Sequence, residues 1–161
     1  MDKNRTTIDL DDFDKKILRI LQRDAGISNQ ALSDRVGLSP SPCLRRVQAL
    51  SSAGLLKKRV ALLDPEALGL SLTVMIHVRM DRHTPERFKN FEAHVKSYPE
   101  VQSCYLITGQ ESDYLLKVVI KDMAHFQDFL LNRLTQIDGV AGVHSSFVLE
   151  KVVDTTELPV A

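Results

Sequence analysis

The chain has 161 residues, which is enough for one ordinary domain or two small ones. Hydrophobic residues make up 43% and charged residues 26%, a balance that favours a folded globular protein over a disordered one. No apolar run approaches the roughly 18 residues that a membrane-spanning helix needs, so we expect no membrane partner. The polar N-terminus predicts no signal or transit peptide, and the two cysteines lack metal-ligand spacing. We therefore expect a cytoplasmic protein with reduced thiols and no metal site.

The formal net charge is zero, but the charge is unevenly distributed along the chain. Residues 1–63 carry 12 basic and 7 acidic groups, whereas residues 64–161 carry 9 basic and 14 acidic groups. A basic block before an acidic block indicates two domains with different partners, of which the basic one can bind phosphate. We place the domains at residues 1–63 and 71–161, with a hinge at 64–70 where Pro65 interrupts the hydrophobic pattern.

The first domain is predicted to contain three helices. Apolar residues at helical spacing indicate a first helix whose start is crowded with aspartates. Ser28 is suited to cap a second short helix that ends at Gly37. Ser39 is suited to cap a third helix, with Pro40 at its first position, where no backbone donor is lost. Two short helices joined by a tight glycine-containing turn are typical of a helix-turn-helix. The expected buried stripe of the third helix consists of Leu44, Val47 and Leu50.

A strand is predicted over residues 55–63, with Lys57, Lys58 and Arg59 at its centre. Because it directly follows the third helix, we interpret it as a β-ribbon wing. The alternative is a solvated strand that carries a run of charges.

The third helix and the wing carry the side chains that we expect to contact DNA. Arg45 and Arg46 can reach guanine edges or phosphates, although a pair of arginines can also simply solvate a helix surface. Small residues in the first turn allow close approach to bases, and serines at helix starts can donate to phosphate. The expected DNA contacts are Ser28, Ser39, Ser41, Pro42, Cys43, Arg45, Arg46, Lys58 and Arg59. For Cys43, packing is a simpler role than a redox switch.

The second domain alternates strands and helices. Strands are predicted over 72–80, 101–108, 113–121 and 143–153, and helices over 85–97 and 123–137. The order βαββαβ predicts a ferredoxin-like sandwich with both helices on one face of the sheet. The other face, with residues such as Met75, Tyr105 and Val118, needs cover and so predicts self-association. The chain is therefore assigned to the α+β class, as a winged helix-turn-helix followed by a ferredoxin-like domain.

Three motifs follow one another in these elements. They are the third-helix segment from Leu38 to Val47, the sequence Gly54-Leu55-Leu56, and Thr108-Gly109 followed by Asp113-Tyr114-Leu115-Leu116. In this order the chain resembles, from about Leu10 to its end, the Lrp/AsnC regulators, the leucine-responsive or feast/famine transcription factors. The resemblance implies dimers formed through the ferredoxin-like domain, further assembly into tetramers or octamers, and an amino acid or related molecule bound between dimers.

The resemblance places the effector at the turn that begins near Thr108. Turn amides can hold a carboxylate and Gly109 allows close approach, while Asp113 can accept from an ammonium group or merely cap its own turn. Many relatives have two residues between this glycine and the aspartate, whereas this chain has three, which leaves the effector unidentified. By resemblance, the expected effector residues are Leu106, Thr108, Gly109, Gln110, Glu111, Ser112, Asp113, Met123, Thr135 and Ser146. Leu106 and Met123 can equally be ordinary core residues.

We therefore expect a sequence-specific transcriptional regulator that responds to an amino acid and needs no cofactor. Its expected partners are double-stranded DNA, further copies of the chain and the amino acid itself. The alternative is a DNA-organising protein that wraps DNA on its oligomer without a ligand. An enzyme is disfavoured, because the five histidines are scattered and no nucleophile elbow, phosphate-binding glycine loop or metal spacing accompanies them. RNA binding is disfavoured because the strands lack a paired aromatic stacking motif.

Overall fold

The computed structural model describes residues 9–109 and 111–161, and it divides into two compact units. The first unit contains the described residues up to Leu62 together with Val153–Ala161, and the second contains Leu63–Val152. The first boundary lies one residue from the expected end of the DNA-binding domain. The last nine residues depart from the sequence-based division, which assigned them to the second domain, because they contact the first helix over a sequence distance that no local pattern reveals. Within the described residues, no helix is long and apolar enough to cross a membrane.

Three helices form most of the first unit: α1 (Asp12–Arg23), α2 (Asn29–Val36) and α3 (Pro40–Ser52). The carboxylate of Asp11 caps α1 by accepting from the backbone N–H of Asp14 at 2.9 Å. The hydroxyl of Ser28 caps α2, as predicted, by accepting from the N–H of Ala31 at 3.2 Å. Helix α2 ends at Gly37, whose φ of +85° lies in the left-handed region that favours glycine. The predicted limits of α2 are therefore confirmed.

The core of the first unit corrects the expected buried stripe of α3. Cys43 and Leu50 are buried and Val47 is half-buried, which is the spacing of one helix face, whereas Leu44 is 45% exposed. Because Cys43 has no exposed surface, its side chain packs in the core and the expectation that it contacts DNA is wrong. The buried core consists of Ile17, Leu18, Leu21, Leu32, Val36, Cys43 and Leu50.

The strand predicted over residues 55–63 is also wrong. This stretch has no regular structure and is followed by a turn at 65–69, in which the N–H of Leu70 donates to the carbonyl of Pro65 at 2.8 Å. A strand is stable only beside a partner that completes its ladder. Within the described residues no segment pairs with this one, so it forms no sheet.

The second unit is built on one four-stranded antiparallel sheet. Its strands are β1 (Leu72–Met80), β2 (Val101–Leu106), β3 (Tyr114–Ile120) and β4 (Val140–Phe147), in the spatial order β2-β3-β1-β4. Helix α4 (Pro85–Lys96) joins β1 to β2, and α5 (Met123–Asp128) lies between β3 and β4. The βαββαβ order is thus confirmed. The last strand is displaced towards the N-terminus, since it ends at Phe147 rather than at residue 153.

The register of the strands separates a helix-covered face from an open face. Val74 and Ile76 are fully buried against the helices, and Val74 lies directly opposite Val118. Val118 therefore belongs to the covered face, because paired residues point to the same side, and its expected place on the open face is wrong. The predicted open-face positions of Met75 and Tyr105 agree with the register. The open face carries Met75, His77, Tyr105, Leu115, His144 and Ser146.

Helix α5 continues into a π-helical turn over Phe129–Leu134, where a plain α-helix was expected. The N–H of Thr135 donates to the carbonyl five residues back, at Leu130, over 3.0 Å. Phe129 and Leu134 remain fully buried, while Leu131 is 49% exposed. The wide turn therefore keeps both ends of the helix on the core and turns one leucine outward.

Replacing Cys43 by serine is expected to lower the free energy of unfolding by about 1–3 kcal/mol, because it buries a hydroxyl among apolar side chains. Burial already raises the pKa of the Cys43 thiol, so the side chain behaves as a small neutral hydrophobe. Cys104→Ser is the control: this residue of β2 is exposed, although nearby groups that exclude water raise the pKa of its thiol to about 11, and its loss should cost less than that of Cys43. Urea unfolding followed by circular dichroism measures both, and equal effects would contradict the core role of Cys43.

Candidate DNA-binding and effector sites

The first turns of α2 and α3 lie side by side. The side-chain amide of Asn29 donates to the carbonyl of Pro40 at 2.8 Å and so ties the two helix starts together. Ser28 and Ser39 occupy the two N-cap positions, and the hydroxyl of Ser39 makes no capping bond of its own. Backbone N–H groups at a helix start favour an anion. This end of the helix pair is therefore chemically suited to a phosphate.

The outward surface of α3 carries several of the side chains expected to meet DNA. Ser41, Leu44, Arg45 and Gln48 are exposed, and Pro42 is half-buried. Within the described residues, Arg45 has no ion-pair partner, so its guanidinium donors are available to a ligand. This surface combines small residues near the helix start with one extended cation.

Arg46 points towards α1 rather than outward. Its Nη1 lies 2.8 Å from Asp11 Oδ2 and 2.9 Å from Asp14 Oδ1, and its guanidinium lies 5.5 Å from the centre of the Phe13 ring. The N–H of Asp14 and then Arg46 lower the pKa of Asp11, while hydrogen bonds to Asp14 and Asp11 raise the pKa of Arg46. We call this contact the Arg46 clamp. The carboxylates of Asp11 and Asp14 thus fix the orientation of the Arg46 guanidinium through Nη1.

Lys58 and Arg59 lie across a groove from α3. The groove has a volume of about 400 Å³, and the apolar part of its lining includes Leu44 and Leu56. Lys57, Lys58 and Arg59 line its other side. Although no wing strand forms, these cations still stand beside the exposed face of the third helix.

In the second unit, Asp113 holds the end of β1. Its Oδ2 accepts from the N–H of Met80 at 2.7 Å, and its Oδ1 lies 2.7 Å from Nε2 of His83. Its own N–H donates to the carbonyl of Val78 at 2.9 Å. Both carboxylate oxygens therefore have partners within the protein, and these lie at the end of β1 and at His83 rather than in the turn before Asp113.

The turn before Asp113 contributes to a cavity on the open face of the sheet. Ser112 contacts His77, with Oγ and Nδ1 3.1 Å apart, and His77 lies opposite His144 in the register of β1 and β4. The cavity has a volume of about 440 Å³. Its lining consists of His77, Arg79, Glu111, Ser112, Gly142, Val143 and His144. Cationic, carboxylate and imidazole groups thus surround one space of small-molecule size.

The expected effector residues do not all meet at this cavity. Glu111 and Ser112 line it, whereas the other described ones do not: Leu106, Thr108, Gly109, Asp113, Met123, Thr135 and Ser146. Gln110 lies outside the described residues. The hydroxyl of Thr135 donates to the carbonyl of Leu131 within its own helix, at 3.2 Å. Gly109 has a φ of +89° with open space around it, so the backbone conformation rather than crowding favours glycine there.

Comparison with known proteins identifies the family. A model described as winged helix-turn-helix DNA-binding matches residues 10–57, and one described as the Lrp/AsnC ligand binding domain matches residues 73–158. The leucine-responsive regulatory protein of Escherichia coli strain K12 is 40% identical over 156 residues, which cover 97% of this chain and 94% of that protein. The chain belongs to the Lrp/AsnC family.

Two further Lrp/AsnC relatives agree with this assignment. The transcriptional regulator AzlB of Bacillus subtilis is 39% identical over 94% of this chain and 96% of its own length. The crystal structure of the Neisseria meningitidis transcriptional regulator NMB0573 in complex with L-Met superimposes with a TM-score of 0.90 at 44% identity, over 94% of this chain and 97% of that one. These relatives are regulators of transcription and not enzymes.

Five residues that line the open-face cavity are absent from the expected effector residues, and three of them have polar or charged side chains: His77, Arg79 and His144. The two histidines were considered only as isolated residues, because 67 positions separate them in the Lrp/AsnC chain. Their alternation with buried residues of β1 was visible, but the strand register that brings them together was not. Polar side chains at open-face positions of β1 are the feature of the sequence that could have indicated this site.

The bonds of Asp113 predict a stability effect that depends on the substituent. Asp113→Ala removes the acceptor of the buried Met80 N–H, so we expect a loss of about 1–3 kcal/mol in the free energy of unfolding. Asp113→Asn retains a carbonyl acceptor and should lose less. Chemical denaturation of both variants checks this, and an alanine variant as stable as the parent would show that these bonds do not hold β1.

Proposed function

We propose that the protein is a sequence-specific DNA-binding transcriptional regulator that reads the major groove with α3. The observation that carries this proposal is that Lys58 and Arg59 line a groove beside Leu44 and Gln48 of α3, the helix that also carries the exposed Arg45. Arg45 is suited to a guanine edge, while Lys58 and Arg59 are suited to phosphates. We assign Arg46 to positioning, since two carboxylates of α1 already hold it. A DNA-binding regulator acts where the chromosome lies, so we place it in the cytoplasm.

We infer that the working form is a dimer or a larger assembly of dimers. The open sheet face carries apolar side chains that a second copy would remove from water, Tyr105 among them at 56% exposure. A symmetric dimer presents two copies of α3 and therefore fits a pseudo-palindromic DNA site. Family membership supports this arrangement.

We further propose that an amino acid binds at the open-face cavity and changes DNA affinity or assembly. Arg79 offers donors for the carboxylate and Glu111 offers acceptors for the ammonium group. Glu111 takes the role first expected for Asp113, whose oxygens are occupied within the protein. The L-Met bound to NMB0573 supports an amino acid as the ligand class. Such a ligand is an effector and not a cofactor.

Arg45→Ala and Arg46→Ala should weaken DNA binding in different ways. Loss of a base contact at Arg45 is expected to cost about 1–3 kcal/mol on the preferred site and to relax the preference at one base position. Loss of the Arg46 clamp should lower the melting temperature and weaken binding to all sequences alike. Binding-site selection and fluorescence anisotropy separate the two results. A melting temperature unchanged by Arg46→Ala, or a base preference unchanged by Arg45→Ala, would refute the respective assignment.

Effector binding can be tested with a thermal-shift panel of the twenty amino acids. A ligand that binds only the folded protein stabilises it by about 2.7 kcal/mol at 100 times its Kd, which raises the melting temperature. Glu111→Gln and Arg79→Gln should abolish the shift, whereas Arg82→Gln, outside the cavity lining, should retain it. A panel with no shift at millimolar concentration, together with unchanged DNA binding, would favour the ligand-independent DNA-organising protein instead.

A further inference from the structure

The first unit contains a C-terminal segment, Glu157–Val160, that the proposed function does not use, and we call it the strap. Gln22 of α1 pairs with both backbone groups of one strap residue. Its Nε2 donates to the carbonyl of Leu158 at 3.1 Å, and its Oε1 accepts from the N–H of Leu158 at 2.6 Å. This two-bond pairing resembles that between opposed residues of an antiparallel ladder. Gln22 therefore recognises an extended backbone rather than a particular side chain.

Two arginines and one apolar contact complete the docking of the strap. Arg19 donates through Nε and Nη2 to the carbonyl of Val160, at 3.2 and 2.8 Å. The Nε of Arg23 lies 3.0 Å from a carboxylate oxygen of Glu157. Val160 also packs against the buried core of the three helices. The strap thus has a polar attachment along one face of α1 and an apolar anchor near its end.

Helix α1 connects the strap to the candidate recognition helix. Asp11 and Asp14 at its start hold Arg46 of α3, while residues of its second half hold the strap. The chain also passes between the two units twice, after Leu62 and after Val152. A docked strap therefore attaches the chain that follows the second unit non-covalently to the first unit, in addition to the covalent connection after Leu62, whereas an undocked strap leaves only that covalent connection.

We propose that the strap is a detachable brace of the DNA-binding unit, and that its docking increases DNA affinity. The proposal rests on DNA binding by α3. Docking covers part of the helical core through Val160, and the second connection removes conformational freedom that DNA binding would otherwise have to restrict. The polar bonds lie at exposed positions, where each contributes little, so docking is reversible.

The charge of the strap alone predicts that docking lowers DNA affinity, whereas the proposed brace raises it. This difference makes the proposal testable. Residues 153–161 contain two acidic and no basic groups, so they reduce the net charge of the first unit from +5 to +3. If charge alone decided, a docked strap would weaken the attraction to phosphate. The direction of the affinity change on undocking therefore distinguishes a brace from an electrostatic mask.

The test is Gln22→Ala in the full-length protein. We expect faster hydrogen exchange at the Leu158 amide and an affinity for a selected genomic DNA fragment that falls about two- to tenfold, the effect of one net hydrogen bond. The dependence of affinity on salt should keep its slope, because no phosphate contact is removed. Gln30→Ala is the matched control, since its amide bonds to Asp34 on α2, away from the strap. It should change neither measurement.

A second variant, Val160→Ser, removes the apolar anchor and leaves the Gln22 bonds, and it should likewise reduce affinity. Higher affinity with a steeper salt dependence in Gln22→Ala would overturn the brace and show that the strap masks Arg19 and Arg23. Unchanged exchange at Leu158 would show that the strap does not dock. Hydrogen exchange at Leu158 is measured without DNA and therefore tests the docking alone. If Gln22→Ala alters this exchange but the parent protein binds no DNA, the docking stands and the proposed function is refuted.

Discussion

The ion pair between Arg46 and the two aspartates of α1 is the constraint on which the first unit depends. It fixes one side of α3 to the start of α1 and leaves the opposite side, with Arg45, exposed. The two neighbouring arginines are chemically alike, yet Arg46 has two internal partners, whereas Arg45 has no ion-pair partner among residues 9–109 and 111–161. A single exposed ion pair adds little to stability, but Arg46 contacts two carboxylates and the Phe13 ring at once, so its loss costs more than one such pair. Its importance here lies in orientation, because the exposed face of α3 depends on where its inner face is held.

Helix α1 contacts both the candidate recognition helix α3 and the C-terminal strap. Its acidic start contacts the candidate recognition helix, and its basic second half contacts residues that follow the effector unit in sequence. A regulator needs some physical route by which ligand binding in one unit alters another. Within the first unit, α1 contacts α3 through its start and residues 157–160 through its second half, so the proposed brace would act through this one helix.

Much of the fold could be predicted from local patterns, and what could not depended on distant partners. The alternation along β1 and the caps of α2 are local features, so the βαββαβ order and the limits of α2 followed from sequence. The prediction of a strand after α3 failed because a local run of residues does not show whether a pairing partner exists. The bond between Arg46 and Asp14 spans 32 residues, and that between Arg19 and Val160 spans 141. No spacing rule relates such positions, and the same applies to His77 and His144.

The π-helical turn at Phe129–Leu134 bears on how the chain tolerates changes of length. A π-turn holds about one residue more than an α-turn, and Leu131 within this turn is exposed. Deletion of a single residue at this point can convert the turn to ordinary α-helix while Phe129 and Leu134 stay on the core. The same deletion in β1 would move every following side chain to the opposite face of the sheet. One helix of this domain thus has room for a one-residue difference between homologues, and its central strand has none.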